Sequence, residues 1–485
     1  MHFDGFMKRR VIILADPPLP PGDVTGRAYP NLGILYIIAA LRHEVQDLDI
    51  HYVDSHISFD DHLRLVEQIQ PWIYGLSFAS PYAQLCFRLI DHIKKKRPST
   101  IVVCGGTHPT AKPLEVMAST RADACCLGEG EQTFVNFVQA VLNGTDLCSV
   151  AGIVKRTTEN VTIKTASRPL VNNLDELPLP AWDLVDFKNY RGCSKRKSAG
   201  SSTSIVASRG CPYECVFCSN PVWRFQSPRV RKRSPHNIAK EVALLYHAGI
   251  REIYIRSDEM NFDVDWSVAV FHALAELGRP DLYFQCLMRP SPMTHTLANS
   301  MAKAGCWLCH VGIESGSQRV LDGIRKRVTL EQIEESCKIL REHGIKVFGF
   351  MMSYQAWEAE GMLQVETTKE VLDSLRFVLN LKRRGLIDYI GWGFATPYPG
   401  SELYEVCNRY HLLRPSKGKN GFLSPQAITT ALPGIPKREM VFTRVIWTIV
   451  KLCFYAFSRE SWSARTISSN LRLALENIRQ MMSSR

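Results

Sequence analysis

Three cysteines carry the strongest chemical signal in this chain. Gly210-Cys211-Pro212-Tyr213-Glu214-Cys215-Val216-Phe217-Cys218 spaces them C-x3-C-x2-C. Three thiolates suit a four-iron, four-sulfur cluster (4Fe-4S) in which one iron keeps a position free of protein ligands. A structural zinc site calls for four ligands, usually as two separated pairs. Such a loop needs an element to hold it. Ser204-Ile205-Val206-Ala207, just ahead, reads as a buried strand, and Gly210 and Pro212 end it in a tight turn on which the thiolates converge.

The rest of the composition bounds the setting. A length of 485 residues suggests about two to four domains. With 45% hydrophobic and 22% charged residues, the chain can bury several cores. Met1 to Arg10 is polar and basic, and Val11-Ile12-Ile13-Leu14 is too short for a signal or a membrane span. Together with fifteen cysteines this predicts a reducing, cytoplasmic location and metal or redox chemistry. The formal charge of +12 is densest at Lys195-Arg196-Lys197 and Arg229 to Arg233. No stacking pattern or nucleic-acid motif accompanies it, so these residues are read as surrounding a site for anionic ligands, with no nucleic-acid partner.

Residues 8–150 alternate short apolar strands with amphipathic helices, which predicts a doubly wound, Rossmann-like α/β domain. Its strands are expected at Val11–Ala15, Ile50–Val53, Ile73–Ser77 and Ile101–Cys104, with helices opening at Pro30-Asn31-Leu32-Gly33 and over Asp60–Gln70 and Gln84–Lys96. Ligands bind such sheets beyond the carboxyl ends of the strands. The loops there are Ser77-Phe78-Ala79-Ser80, Gly105-Gly106-Thr107-His108-Pro109-Thr110 and Gly128-Glu129-Gly130-Glu131. There is no Gly-x-Gly-x-x-Gly after the first strand and no P-loop. These loops and Pro30-Asn31-Leu32-Gly33 resemble the cobalamin-binding domain found upstream of a radical S-adenosylmethionine (SAM) core. The resemblance implies that Ser77, Gly105, Gly106, Thr107, His108, Gly128 and Glu129 contact cobalamin. Asp54-Ser55-His56 looks like the start of a cobalt-ligating Asp-x-His-x-x-Gly motif. Phe59 stands at the glycine position, however, and the stretch follows the second strand rather than the first, so no histidine is expected on cobalt.

Residues 151–200 form a linker with a small hairpin and the proline-fixed Leu177-Pro178-Leu179-Pro180. From 201 to 400 the pattern repeats as helix, glycine, strand, with glycine caps at Gly249, Gly305, Gly344 and Gly385. Strands near 205–207, 253–256, 283–286, 308–312, 346–351 and 389–395 predict a partial (β/α)6 barrel. Residues 401–485 read as mainly helical.

The cysteine spacing, with the aromatic Phe217 before the last cysteine, resembles the radical SAM superfamily. That resemblance implies that Cys211, Cys215 and Cys218 hold the cluster and that Phe217 lies beside SAM. It implies that Asp258 and Glu259 meet the amino group and Arg289, with Gln285, the carboxylate. Glu314 and Ser315 are implied near the ribose and methionine part. The Cys306-Trp307-Leu308-Cys309 pair sits in an apolar strand and is read as buried and structural. Where relatives carry a compact Gly-x-Pro-Gly-Glu-Thr turn, this chain has Ser353 to Glu360, placing Tyr354 and Trp357 near the barrel mouth; Tyr354 is a candidate catalytic residue.

The implied whole is a cobalamin-dependent radical SAM methyltransferase acting on an unactivated carbon of a small-molecule, lipid or natural-product substrate. Its cofactors would be a 4Fe-4S cluster, SAM and cobalamin, with an external electron donor such as flavodoxin or ferredoxin. Two alternatives stand beside it: a ring-forming oxidative cyclase that uses cobalamin without methyl transfer, and a non-catalytic cobalamin-binding sensor. Met440 to Phe457 is apolar except for the stripe Arg444, Thr448, Lys451 and Tyr455. It is read as the core helix of a small cap domain, with peripheral membrane contact through its basic stripe as the alternative.

Overall fold

The computed structural model describes residues 10–19, 28–157, 159, 161–190, 192, 200–219, 227–414 and 427–456. The basic run Lys195 to Lys197 and the tail from Phe457 lie outside them. The described residues fall into two compact units, one running to Tyr190 and the other taking in the rest from Gly192, save Ser227 and Pro228.

In the first unit the parallel strands are β1 (Arg10–Ala15), β2 (Leu48–Val53), β3 (Ile73–Ser77), β4 (Ile101–Gly105) and β5 (Ala124–Cys126), in the order 2-1-3-4-5. Side chains alternate across a strand, so β1 feeds two cores. Ile12 and Leu14 pack with α1 (Leu32–Glu44) and α6 (Glu131–Asn143). Ile13 and Ala15 pack with α2 (Phe59–Ile69), α3 (Ala83–Lys96) and α5 (Pro113–Ser119). The short α4 (Thr107–Ala111) begins two residues after β4. The hairpin expected in the linker is β6 (Ile153–Arg156) and β7 (Thr162–Lys164), which extends the sheet antiparallel beyond β5. The doubly wound reading holds.

The second unit is built on six parallel strands in chain order. These are β8 (Ser201–Ile205), β11 (Ile250–Ile255), β12 (Tyr283–Met288), β13 (Cys306–Glu314), β14 (Lys346–Ser353) and β17 (Tyr389–Phe394). The first begins earlier than its apolar run suggested and stops at Ile205. A two-strand ribbon, β9 (Ser208–Arg209) with β10 (Arg231–Lys232), closes the base of the cysteine loop. Helices α7 (Pro235–His247), α8 (Val264–Ala275), α9 (His295–Lys303), α10 (Gln318–Gly323), α11 (Leu330–Glu342) and α12 (Thr368–Arg383) return the chain between strands. The expected capping box of Thr329 and Gln332 opens α11, and Gly249, Gly305, Gly344 and Gly385 all adopt positive φ at helix ends. The departure after β14 is an antiparallel hairpin, β15 (Ala356–Ala359) and β16 (Met362–Val365). Helices α13 (Glu402–Arg409) and α14 (Lys437–Ala456) belong to this same unit. Among the described residues no helix is long and apolar enough to cross a membrane.

Candidate functional site at the carboxyl edges of the sheets

The cysteine loop leaves β9 through Gly210, at φ +89°, where a Cβ would lie 1.9 Å from the carbonyl oxygen of Arg229. Only glycine fits that approach. The Gly210 N–H donates to Asp258 Oδ2 at 2.6 Å, and Val216 N–H donates to the Ile324 carbonyl at 3.0 Å. The Val216 carbonyl accepts from Leu403 N–H at 2.8 Å, so α10 and α13 pin the loop from both sides. Cys211, Cys215 and Cys218 are unlinked and partly accessible. Burial pushes the Cys211 thiol up to about 12, with Glu259, Cys218 and Cys215 adding to it.

The three thiols are therefore neighbours. Yet among the described residues no group of three His, Cys, Asp or Glu is gathered tightly enough to chelate one metal ion. A tetrahedral zinc, with sulfur at about 2.3 Å, needs such gathering. A polynuclear cluster spreads its thiolates over several irons, which this loop suits.

Full charges crowd beside the loop. Arg289 is 4% exposed, its guanidinium 3.7 Å over the Tyr213 ring and Nη1 3.5 Å from Cys215 Sγ. Its Nη2 donates to the Lys326 carbonyl. Glu259 Oε1 accepts from the backbone N–H of Asn261 (3.3 Å) and Arg289 (3.1 Å); burial raises its carboxyl. Glu314, at φ +66°, pairs through Oε1 with Lys326 Nζ at 2.9 Å, and both side chains are buried. Gly312 makes room, since a Cβ there would meet both partners at 2.8 Å. Lys326 Nζ also lies 5.8 Å from the centre of the Phe217 ring. Arg325 and Arg327 on either side hold positive φ, a strained turn that keeps Lys326 turned inward. A carboxylate, an ammonium and a guanidinium beside a thiol loop can hold a zwitterionic amino-acid group.

Lys326 escaped the sequence reading because Arg325-Lys326-Arg327 looks like a solvated run. Other expected residues stand further from the loop. Asp258 is exposed and spends Oδ2 on the Gly210 amide, so it positions the loop. Gln285 lies three residues before the end of β12, its Nε2 donating to Glu252 Oε1 (2.6 Å) and its Oε1 3.0 Å from His310 Nε2. Ser315 is buried, with its hydroxyl 3.3 Å from Glu366 Oε1 and 3.0 Å from Ser374 Oγ. Burial lifts Glu366 to about 8. Tyr354 is 1% exposed and its hydroxyl meets Thr443 of α14 at 2.9 Å. Trp357 packs on Gly323 under the Arg319 guanidinium. The hairpin thus braces α10 and α14. Cys306 and Cys309 are buried in β13 as expected, with Cys306 Sγ 3.8 Å from Cys286 Sγ.

In the first unit the loops after β3 and β4 are stitched together. Phe78 N–H donates to the Gly105 carbonyl (3.0 Å) and His108 N–H to the Phe78 carbonyl (3.2 Å). Gly106, at φ +95°, brings its Cα so close that a Cβ would lie 2.7 Å from the Phe78 oxygen. Ser77 Oγ would lie at 3.0 Å from the same Cβ. A Cβ on Gly105 would instead meet nothing within 4 Å. Thr107 starts α4, and Thr110 Oγ1 joins the next loop by accepting from Gly128 N–H at 3.1 Å. Glu129 lines a cleft with Leu127, Gln132 and Arg168. An edge with small residues, backbone groups and open space at Gly105 fits a flat, bulky ligand such as cobalamin.

His108 is 4% exposed, stacked on Phe78 and held at 3.0 Å from Ser80 Oγ. Burial pushes it down to about 4, so it is neutral. His56 Nδ1 lies 3.2 Å from Asp54 Oδ1, with the ring edge-on to Tyr190. A network at the ends of β1 and β2 also escaped the sequence. Asp16 accepts from Asn31 Nδ2 (2.6 Å) and the Tyr52 hydroxyl (2.9 Å), and Tyr190 donates to Asp54 (3.2 Å). Burial raises Asp16 to about 7.

Comparison with known proteins now bears on these two edges. Residues 22–138 match the model of the B12 binding domain, and residues 205–365 match that of the radical SAM superfamily. The chain thus carries a match to each of two domains, B12 binding and then radical SAM, in that order. It is 29% identical to an uncharacterized methyltransferase of Pyrococcus horikoshii over 84% of this chain and 85% of that one. It is 25% identical to the anaerobic magnesium-protoporphyrin IX monomethyl ester cyclase of Rubrivivax gelatinosus, over 74% of this chain and 62% of the cyclase. Its fold matches the solved structure of TsrM, a radical SAM methyltransferase of Kitasatospora setae with cobalamin and a [4Fe-4S] cluster bound. That match has a TM-score of 0.66 and 18% identity, over 84% of this chain and 76% of that one. As a cobalamin-dependent radical SAM enzyme, the protein uses a 4Fe-4S cluster, SAM and cobalamin.

Proposed function

We propose that the enzyme moves a methyl group from SAM to a carbon of a small-molecule substrate. The observation that carries the site reading is the meeting of the Cys211–Cys218 loop with Arg289 and the buried Glu314–Lys326 pair. The relative of Pyrococcus horikoshii, a methyltransferase aligned over 85% of its length, favours methyl transfer. In this reading Cys211, Cys215 and Cys218 hold the cluster, and Arg289 and Lys326 face the SAM carboxylate. Glu259 and Glu314 face its ammonium, and Phe217 borders the nucleoside. The open edge at Gly105 and Gly106 would take the corrin, and the buried His108 is assigned no role as a ligand. When bound, the cluster supplies the electron that cleaves SAM and cobalamin carries the methyl group; the chain supplies orientation and a dry site.

Ring closure without methyl transfer is the second reading, supported by the cyclase relative. Anaerobically reconstituted enzyme given reductant and SAM with a deuterated methyl group separates the two. Methyl transfer predicts a burst of S-adenosylhomocysteine stoichiometric with bound cobalamin, carrying no label. Formation of 5′-deoxyadenosine without any S-adenosylhomocysteine overturns the methyl-transfer reading.

A further inference from the structure

Helix α14 turns its polar stripe inward. Arg444 and Thr448 are only 8% and 7% exposed, on the side where Thr443 and Trp447 are buried. Its outer side is apolar: Phe442 and Ile449 are 49% and 51% exposed, seven residues and thus two turns apart on one face. Val445, Ile446 and Leu452, half-buried, and Cys453, exposed, continue that face. From Phe442 to Cys453 no charged residue falls in it, since Arg444 and Lys451 lie on the opposite side of the wheel. Arg444 and Thr448, part of the stripe offered by the sequence as an alternative membrane contact, thus lie on the buried side of the helix.

Helix α12 runs alongside in the same direction. Thr368 Oγ1 donates to Glu439 at 2.6 Å at one end, and Lys382 Nζ lies 4.9 Å from the Phe454 ring centre at the other. It exposes Leu379, at 43%, together with Lys369, Arg376 and Arg383, and α14 adds exposed Lys437 and Arg438. The acids of the two helices are half-buried and occupied: Glu370 by Arg319, Asp373 by Arg376, and Glu439 by Thr368. The layer therefore shows apolar side chains framed by basic ones.

We propose that the outer face of α12 and α14 docks on an anionic phospholipid surface. Phe442 and Ile449 enter the boundary between headgroups and acyl chains, while Lys369, Arg383, Lys437 and Arg438 meet lipid phosphates. The charge selects this occupant. Two copies of the face would set like charges against each other, whereas an anionic surface complements them and the overall +12. No spanning helix is required, because insertion at this depth is peripheral.

Flotation of the full-length, cluster-loaded enzyme tests the proposal, using vesicles of phosphatidylcholine alone and of phosphatidylcholine with phosphatidylglycerol in equal parts. The enzyme is expected to float with the anionic vesicles and to be released by salt. Phe442→Ser with Ile449→Ser should lower the floated fraction about tenfold, and Lys437→Gln with Arg438→Gln about as much. Retained helicity by circular dichroism and unchanged 5′-deoxyadenosine formation show that these variants are folded. Failure of the wild type to float overturns the proposal, whether a second copy or residues 457–485 cover the face. So does flotation that either pair of substitutions leaves unchanged. A dimer that the serine variant splits without loss of flotation also overturns it.

Discussion

At the edge of the first sheet, Gly105 opens on empty space, Gly106 presses on Phe78, and the nearby His108 is buried and neutral. At the edge of the second sheet, Arg289, Glu314 and Lys326 bring full charges against a thiol loop. On the proposed assignment the contrast tracks the ligands. A corrin ring is broad, and its fit depends on where backbone can approach, so glycines and short hydroxyls shape that edge. SAM presents a compact ammonium and carboxylate to a partly dry site, where Coulomb attraction is strong and each charge needs a counter-charge. Substitutions should therefore act through shape in one unit and through charge in the other.

The largest effect belongs to the charged edge. Replacing Cys211, Cys215 or Cys218 by alanine removes one of the three thiolates proposed to hold the cluster with one iron open. SAM cleavage is expected to fall below detection in each variant, read as 5′-deoxyadenosine after anaerobic reconstitution. Normal cleavage by any one of them would sink the cluster assignment. Next comes Lys326→Met, which strands Glu314 without a counter-charge at a buried position. Breaking one partner of such a pair costs about 3–5 kcal/mol. Adding Glu314→Gln should recover most of that stability in chemical denaturation but leave SAM binding weak. Recovery of both would make the pair structural.

Much of this framework was legible. Strand and helix periodicity located the elements of both sheets, because apolar alternation and glycine caps are local signals. The hidden parts depend on tertiary placement. Lys326 sits among arginines whose spacing says surface, yet it lies between two residues of positive φ and pairs with the buried Glu314, distant in sequence. Gln285 looked like a strand-end ligand until its amide proved committed to Glu252 and His310. The stripe on α14 was visible, but which side faced the barrel was decided by Tyr354, Trp392 and Thr368, distant in sequence; Trp392 and Trp447 stack at 5.8 Å.

On the shape-built side, Asp16 is the exception that sharpens the comparison. Its carboxyl is raised to about 7 because burial outweighs the Asn31 and Tyr52 hydrogen bonds. The folded state thus holds the proton more tightly than the unfolded chain. The stabilisation is full below about pH 4 and lost as pH rises to about 7, up to about 4 kcal/mol. His62 and His108, pushed down to about 4, run the opposite way, losing stability as pH falls from about 6.5. The difference between Asp16→Asn and wild type isolates the carboxyl. Denaturant midpoints should converge at low pH, with the variant gaining as pH approaches 7; parallel curves would remove the argument. Gly105→Leu is the matching test of shape. It fills space that holds no protein atom, so the fold should persist while bound cobalamin, read by absorbance, falls about tenfold.

The smallest expected effect concerns the hairpin that replaces the family turn. Tyr354 was a candidate catalytic residue, but its hydroxyl lies 2.9 Å from Thr443 Oγ1 and its ring rests on Phe394. Tyr354→Phe keeps the ring and deletes the neutral hydrogen bond to Thr443, worth about 1 kcal/mol, together with a longer contact of 3.5 Å to Thr368 Oγ1. Thr443 Oγ1 still has the carbonyls of Glu439 and Met440 to donate to, so the loss leaves no stranded donor. A small drop in denaturant midpoint with unchanged 5′-deoxyadenosine formation is expected. A loss of turnover larger than the loss of stability would return Tyr354 to the chemistry, and would mean that α14 moves away from the barrel during the reaction.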